Sequence, residues 1–226
     1  NYECTYEEGL LSKIEITDEA QARKDAAKLK SKINALGNIN FAAIEEAIEQ
    51  EKINGEIRVV LSDKENAGAL VKAEAKGIKN KWIDPKAYSD KDVYEQALLD
   101  EIGECDLIVL AGYMRILGEG FIEKAPCPIM NIHPALLPAF PGLHGQRQAV
   151  EYGVKIAGCT VHFVDTGLDS GPIIMQAAVE VKDDDDEESL SARILKEEHR
   201  IYPEVVAAYA RGELYIEGRT VKRRIN

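Results

Sequence analysis

From residue 41 onward the hydrophobic positions change period several times, and the changes mark alternating helices and strands. In "FAAIEEAIEQEKING" Phe41, Ile44 and Ile48 fall on one face at helical spacing, with Gly55 beyond. "EIRVVLS" reads as a buried strand, and "AGALVKAEAKGI" as a helix closed by Gly77. "SDKDVYEQALLDEIGE" predicts a helix capped by Ser89 or Asp90, with Val93, Ala97, Leu98 and Ile102 inward. "CDLIVLAGY" is the most hydrophobic strand and suits a parallel sheet covered on both faces. "CPIMNIH" is the next strand, and "TVHFV" and "PIIMQAAVEV" are strands joined by the turn-rich "DTGLDSGP". A long helix over "EESLSARILKEEHRIYPEVVAAYARGEL" and a terminal hairpin in "YIEGRTVKRRI" complete the pattern. Such alternation predicts an α/β fold with a doubly wound, mostly parallel sheet that binds ligands beyond the strands' carboxyl ends.

The start of the chain breaks this pattern. Lys30 and Lys32 make "KLKSKINAL" unacceptable as a central strand, because unpaired buried charge is costly. Ala22, Ala26, Leu29, Ile33 and Leu36 follow the alternating steps of a heptad seam, with Gly37 as a stop. An ordinary amphipathic helix packed on the domain is the alternative. The expected division is a helical, coiled-coil-like segment over 1–37, standing where a first strand belongs, and an α/β domain over 38–226. "LKSKINALGNINFAAIEE", within residues 1–45, resembles a coiled-coil segment near the head of structural-maintenance-of-chromosomes ATPases, though no GxxxxGK[ST] loop occurs.

Hydrophobic content of 45% and charged content of 30% are those of a globular domain. A net charge of −12 argues against a nucleic-acid-binding surface, which needs a basic footprint. No run of about 18 apolar residues suggests a membrane span, and no signal-peptide pattern opens the chain. The four cysteines are scattered without a CxxC pair, which fits free thiols in a reducing cytoplasm and neither a disulfide frame nor a zinc site. The acidic run "DDDDEE" (183–188) reads as a solvated loop that favours the start of the following helix.

Candidate chemistry concentrates in "NIHPALLPAFPG". Strand alternation sends Asn131 and His133 to one side and Ile132 to the other, and Pro134, Pro138 and Pro141 then turn the chain into a shaped loop. A side-chain amide beside an imidazole at a strand's carboxyl end is either a reaction site or a capped strand end with a satisfied polar pair.

The motifs "LAGYMRIL", "NIHPALLPAFPGLHG", "GCTVHFVDTGLDSGPIIMQ" and "EEHRIYP" occur in one order, and on them residues 40–226 resemble the glycinamide ribonucleotide formyltransferases of purine synthesis. The resemblance implies a Rossmann-like formyltransferase fold and transfer of a formyl group from 10-formyltetrahydrofolate to the amine of glycinamide ribonucleotide, without a metal. It implies Asn131, His133 and Asp169 as catalytic. Folate would lie along Met114, Arg115, Ile116 and Leu117 and along Asp165, Thr166, Gly167, Leu168 and Asp169, beside Asn131, with Leu110 and Val164 as apolar walls and Lys91 as a distant cation. The ribonucleotide would meet Asn38, Ile39, Asn40, Pro134 and Glu198. His162 and His199 are read as structural, and His144 has no assigned role. The family's Gly-x-Gly-Ser/Thr-Asn phosphate loop aligns with "LGNIN", which keeps only the final asparagine and one glycine, so weakened phosphate binding is expected. Rival readings are a formyltetrahydrofolate deformylase, a methionyl-tRNA formyltransferase and a non-catalytic relic. The expected state is a monomer or homodimer in the cytoplasm.

Overall fold

The computed structural model describes residues 40–224, which all lie in one compact unit, Asn34–Asn226. The expected helical segment over 1–37, its replacement of a first strand, and the site positions Asn38 and Ile39 lie outside the described residues. The first described element is helix α1, residues 40–49, which buries Phe41 and Ile44 and rests Ile48 on the core, as its spacing predicts.

Two parallel βαβ units follow. β1 (Val60–Ser62), α2 (Gly68–Ala75) and β2 (Asn80–Trp82) form the first, with Val60 opposite Asn80. Helix α3 (Lys91–Ile102) starts where Asp90 accepts the Val93 N–H at 2.9 Å, which resolves the expected cap in favour of Asp90. β3 (Ile108–Leu110), α4 (Glu119–Lys124) and β4 (Ile129–His133) form the second unit, with Leu110 opposite Asn131. After α5 (Gly145–Tyr152), strands β5 (Ile156–Phe163) and β6 (Ile173–Glu180) run antiparallel, giving the order β3-β4-β5-β6. Helix α6 (Glu187–Ala210) and the hairpin β7 (Leu214–Glu217) and β8 (Thr220–Arg223) close the chain.

The expected α/β architecture is therefore present, parallel in its first half and antiparallel where "TVHFV" and "PIIMQAAVEV" fold back on each other. Two strands are shorter than their hydrophobic runs, because pairing ends before the apolar pattern does. Residues 56–59 precede the β1 ladder, and β3 stops at Leu110, just before Gly112 turns the chain at φ +67°. Strand β2 and helices α4 and α5 carry no clear period in the sequence: the first contains Asn80 and Lys81, and α4 has six residues.

One face of the four-stranded sheet carries Met130, Ile132, Cys159, Val161, Ala177 and Val179 against Leu190, Ile194, Ile201, Tyr202 and Val205 of α6. Each fully buried aliphatic side chain contributes roughly 1.5–3 kcal/mol. The other face seats Ile129 among Ile83, Tyr94, Leu98 and Phe121, with Leu110, Leu117 and Val164 half-buried beside them.

The acidic run before α6 is more than a solvated loop. Asp186 caps Ser189 in a reciprocal capping box, and Asp183 meets Lys155 at 2.6 Å. Asp185 is held well below the usual carboxylate range, first by its hydrogen bonds from the Arg193 guanidinium.

Two tyrosines set the direction of α6 against the sheet. The Tyr209 hydroxyl donates to Asp106 O at 2.8 Å, before β3 begins, and the Tyr202 hydroxyl lies 2.8 Å from Leu110 O and 3.0 Å from Met130 O. Helix α6 therefore runs antiparallel to β3, and its earlier turns pass beyond the strand's carboxyl end. Replacing Tyr202 by Phe leaves two buried carbonyls without that donor, a loss of about 1–3 kcal/mol. Thermal unfolding of Tyr202→Phe should show a melting temperature lower by about 2–12 °C at this chain length; an unchanged melting temperature would remove the tyrosine from the framework.

Candidate active site

The site forms where β4 ends. Alternation along Ile129–His133 puts Met130 and Ile132 against α6 and leaves Asn131 and His133 on the opposite face, as the sequence predicts. Beyond His133 the chain crosses a loop with a cis Leu137–Pro138 bond and a left-handed Phe140. His133 is buried, and its Nε2 donates to Phe140 O at 2.8 Å. Since a carbonyl can only accept, this contact places a proton on Nε2 and, in the neutral ring, the lone pair on Nδ1.

Nδ1 of His133 faces Asp169 Oδ2 at 3.4 Å. Asp169 is left-handed (φ +48°) at the turn between β5 and β6, where the same Oδ2 accepts the Gly142 N–H at 2.7 Å. One carboxylate thus pins the loop after β4 to the loop after β5 while facing the imidazole. A proton taken up on Nδ1 would point at that anion, so the arrangement suits a base that becomes an imidazolium during reaction. The β5–β6 turn is packed closely on the end of β5. A Cβ on Gly171 would collide with the Phe163 carbonyl.

His162 also belongs to this cluster. Read from the sequence as structural, it stands directly opposite Asn131 in the β4–β5 ladder, with Nε2 at 3.3 Å from Asn131 Nδ2 and 3.8 Å from Asp169 Oδ1. Its Nδ1 donates to Phe163 O at 2.9 Å. Burial lowers its pKa below the usual histidine value, so the ring is neutral. Hydrophobic alternation reveals which side a residue takes but not which residue it meets across the ladder, so no signal in the sequence joined His162 to Asn131.

The expected folate-facing residues differ in exposure and in their partners. Met114 and Ile116 are 50% and 68% exposed, and Leu168 is 53% exposed, an unusual display of large apolar groups next to buried polar ones. Leu117 is half-buried in the cluster of Tyr94 and Phe121. The Arg115 guanidinium lies 5.4 Å from the centre of the Tyr94 ring, so it is held against α3 and is not a simple solvent cation. Gly118 N donates to Glu95 Oε1 at 2.8 Å, which fastens the end of the 112–118 loop to α3, and Lys91 Nζ lies 3.7 Å from the same carboxylate oxygen. Asp165 forms a turn with Gly167 N and Ser170 Oγ at 3.1 and 2.7 Å, and Thr166 and Gly167 are exposed at its tip.

Of the expected ribonucleotide residues, Pro134 follows His133 directly and is half-buried. Asn40 and Glu198 are joined, Asn40 Nδ2 donating to Glu198 Oε2 at 2.9 Å, and both are buried. Burial raises the Glu198 pKa. Asn40 Oδ1 is buried with no partner among the described residues. Glu198 sits one turn before Tyr202, about 6 Å further along α6 at 1.5 Å per residue. Because Tyr202 reaches the last residue of β3, Glu198 lies off the carboxyl edge of the sheet, the same edge as Asn131.

Among the described residues no group of three His, Cys, Asp or Glu side chains could hold a metal ion, and no helix is long and apolar enough to cross a membrane. Cys105, Cys127 and Cys159 are free thiols.

Comparison with known proteins places these features in a family. The family model described as "Formyl transferase" matches residues 32–206. The chain is 42% identical over 180 residues to phosphoribosylglycinamide formyltransferase of Bacillus subtilis, covering 78% of this chain and 92% of that protein. The crystal structure of glycinamide ribonucleotide transformylase 1 from Symbiobacterium toebii has a TM-score of 0.79 at 48% identity, covering 83% of this chain and 89% of that one. A formyltetrahydrofolate deformylase from Pseudomonas syringae has a TM-score of 0.75 at 26% identity, with 82% of this chain but 62% of that one covered. The chain belongs to the formyl transferase family, and within it to the phosphoribosylglycinamide formyltransferases.

Proposed function

We propose that the chain transfers a formyl group from 10-formyltetrahydrofolate to the amine of glycinamide ribonucleotide, with Asn131, His133 and Asp169 as its catalytic residues. The observation that carries this reading is the gathering at the end of β4 of the Asn131 amide, the His133 imidazole on the same face of the strand, and the Asp169 carboxylate 3.4 Å from that imidazole. In a chain of this family that trio matches the needs of formyl transfer between two nitrogens. The amine lone pair attacks the formyl carbon, the C–N bond forms and the carbonyl electrons move to oxygen. Asn131 Nδ2–H donates to that oxyanion. His133 Nδ1 accepts the proton released by the new ammonium, directly or through water, and Asp169 stabilises the imidazolium. As the oxyanion collapses, the bond to the folate nitrogen breaks and the proton passes to that nitrogen, giving tetrahydrofolate and the formylated amine. No metal enters any of these steps.

We place the folate against Met114, Arg115, Ile116 and Leu117, Asn131, and the 165–169 turn, with exposed Met114, Ile116 and Leu168 as the apolar surface and Lys91 for the folate tail. The ribonucleotide is assigned to Asn38, Ile39, Asn40, Pro134 and Glu198. A buried carboxylate accepting from an asparagine whose own oxygen is unpartnered suits a ligand with hydroxyl groups. The enzyme is proposed to act in the cytoplasm, where its thiols stay reduced.

Steady-state kinetics on purified variants test the catalytic assignment. Asn131→Ala should lower kcat by about 10²–10³, and His133→Ala and Asp169→Asn should each lower it by at least about 10², with folate binding retained within a few-fold. Wild-type turnover by any of the three would strike that residue from the mechanism.

A second variant separates binding from stability. Native Glu198 keeps its proton at pH values where the unfolded carboxyl has lost it, so the native state binds more protons and ionisation of this group costs stability as pH rises. Glu198→Gln should therefore be at least as stable as the parent at pH 7.5 in a thermal melt. Its affinity for glycinamide ribonucleotide, measured by calorimetry, should fall about 10- to 100-fold. Unaltered affinity would place the ribose elsewhere.

A further inference from the structure

We propose that His162 is a positioning residue that sets the orientation of the Asn131 amide. The inference rests on the reading of Asn131 as the oxyanion donor. A primary amide at a strand edge can rotate by half a turn, presenting either its oxygen or its nitrogen to a neighbour, and only one of the two orientations offers an N–H to substrate. In this protein the choice is made two contacts away. Phe163 O accepts from His162 Nδ1 at 2.9 Å, which fixes the proton on Nδ1. The neutral ring therefore shows a lone pair at Nε2, and Asn131 Nδ2 lies 3.3 Å from it.

The reversed amide would set Asn131 Oδ1 against that lone pair, two acceptors facing each other inside the fold. The observed orientation turns one Nδ2–H to His162 and leaves the second for a developing oxyanion. His162 is 2% exposed, and the ladder pairs it directly with Asn131, so neither partner can drift away. Burial holds the ring neutral, and the lone pair is thereby kept. Asp169 Oδ1 lies 3.8 Å from the same Nε2.

The test is a mutant cycle on the full chain, reading kcat and KM for both substrates, with a thermal melt of each variant. Four proteins are compared with the parent: Asn131→Ala, His162→Leu, His162→Gln, and Asn131→Ala combined with His162→Leu. His162→Leu should lower kcat about 10- to 100-fold, as expected when an oxyanion donor is misaligned, while each KM moves by less than about threefold. His162→Gln, whose Oε1 can accept from the amide, should recover most of that loss. In the Asn131→Ala background the leucine substitution should change kcat by less than about twofold, because the group it acts through is gone. Losses that simply multiply in the double variant, or a parent-like kcat in His162→Leu, would overturn the proposal. If His162→Leu does not fold, His162→Gln with and without Asn131→Ala reads the same coupling, and a large loss in His162→Gln that persists in both backgrounds overturns it. A parent-like kcat in Asn131→Ala would instead overturn the oxyanion reading, an outcome distinct from failure of the coupling.

Discussion

A single carboxylate holds the candidate site together. Asp169 accepts the Gly142 N–H at 2.7 Å, faces His133 Nδ1 at 3.4 Å and stands 3.8 Å from His162 Nε2. Two loops and two strands therefore meet at one anion. A hydrogen bond to a charged group contributes roughly 1.5–3 kcal/mol, about twice a neutral one. The carboxylate reaches all three partners because its residue is left-handed, a conformation that asparagine and aspartate tolerate better than other side chains. The same anion that closes the loops also stands beside the His133 imidazole, so the loop closure and the candidate site share one residue.

The rest of the fold delivers residues to that anion. Strand β4 lies between β3 and β5, and its two faces divide the labour: Met130 and Ile132 bind α6, while Asn131 and His133 face the site. Tyr202 and Tyr209 set α6 antiparallel to β3, and Glu198 consequently passes beyond the sheet's carboxyl edge with Asn40 in reach. Ligands of doubly wound sheets collect at this edge. Met114 and Ile116, in the loop after β3, and Leu168, beside Asp169, are exposed.

Much of this was legible along the chain, for identifiable reasons. Helix α1 follows its apolar spacing and α6 its period and cap, whereas α3 keeps its Asp90 cap but buries Tyr94 and Leu98 and leaves Val93 exposed; the paired Asn131 and His133 follow from strand alternation alone. Asp169 on its own reads as turn chemistry, and only its family motif assigns it a role; the structure gives it a left-handed turn conformation with its carboxylate 3.4 Å from His133 Nδ1. His162 escaped notice because cross-strand register is a tertiary property that no local pattern encodes. The contact of the exposed Arg115 with the Tyr94 ring, some twenty residues away, is likewise a tertiary one. The acidic run is largely exposed and starts α6 as its sequence suggests, while its ion pairs with Arg193 and Lys155 depend on the fold.

A formyltransferase moves its formyl group from one nitrogen to another and does not hydrolyse it. Carbon NMR of a reaction containing the full chain, glycinamide ribonucleotide and 10-formyltetrahydrofolate labelled with carbon-13 at the formyl carbon follows that group directly. The expected result is that the labelled carbon leaves the folate and appears as an amide on the ribonucleotide, one for each tetrahydrofolate released. Labelled formate in its place, formed at the same rate with or without the ribonucleotide, would contradict it.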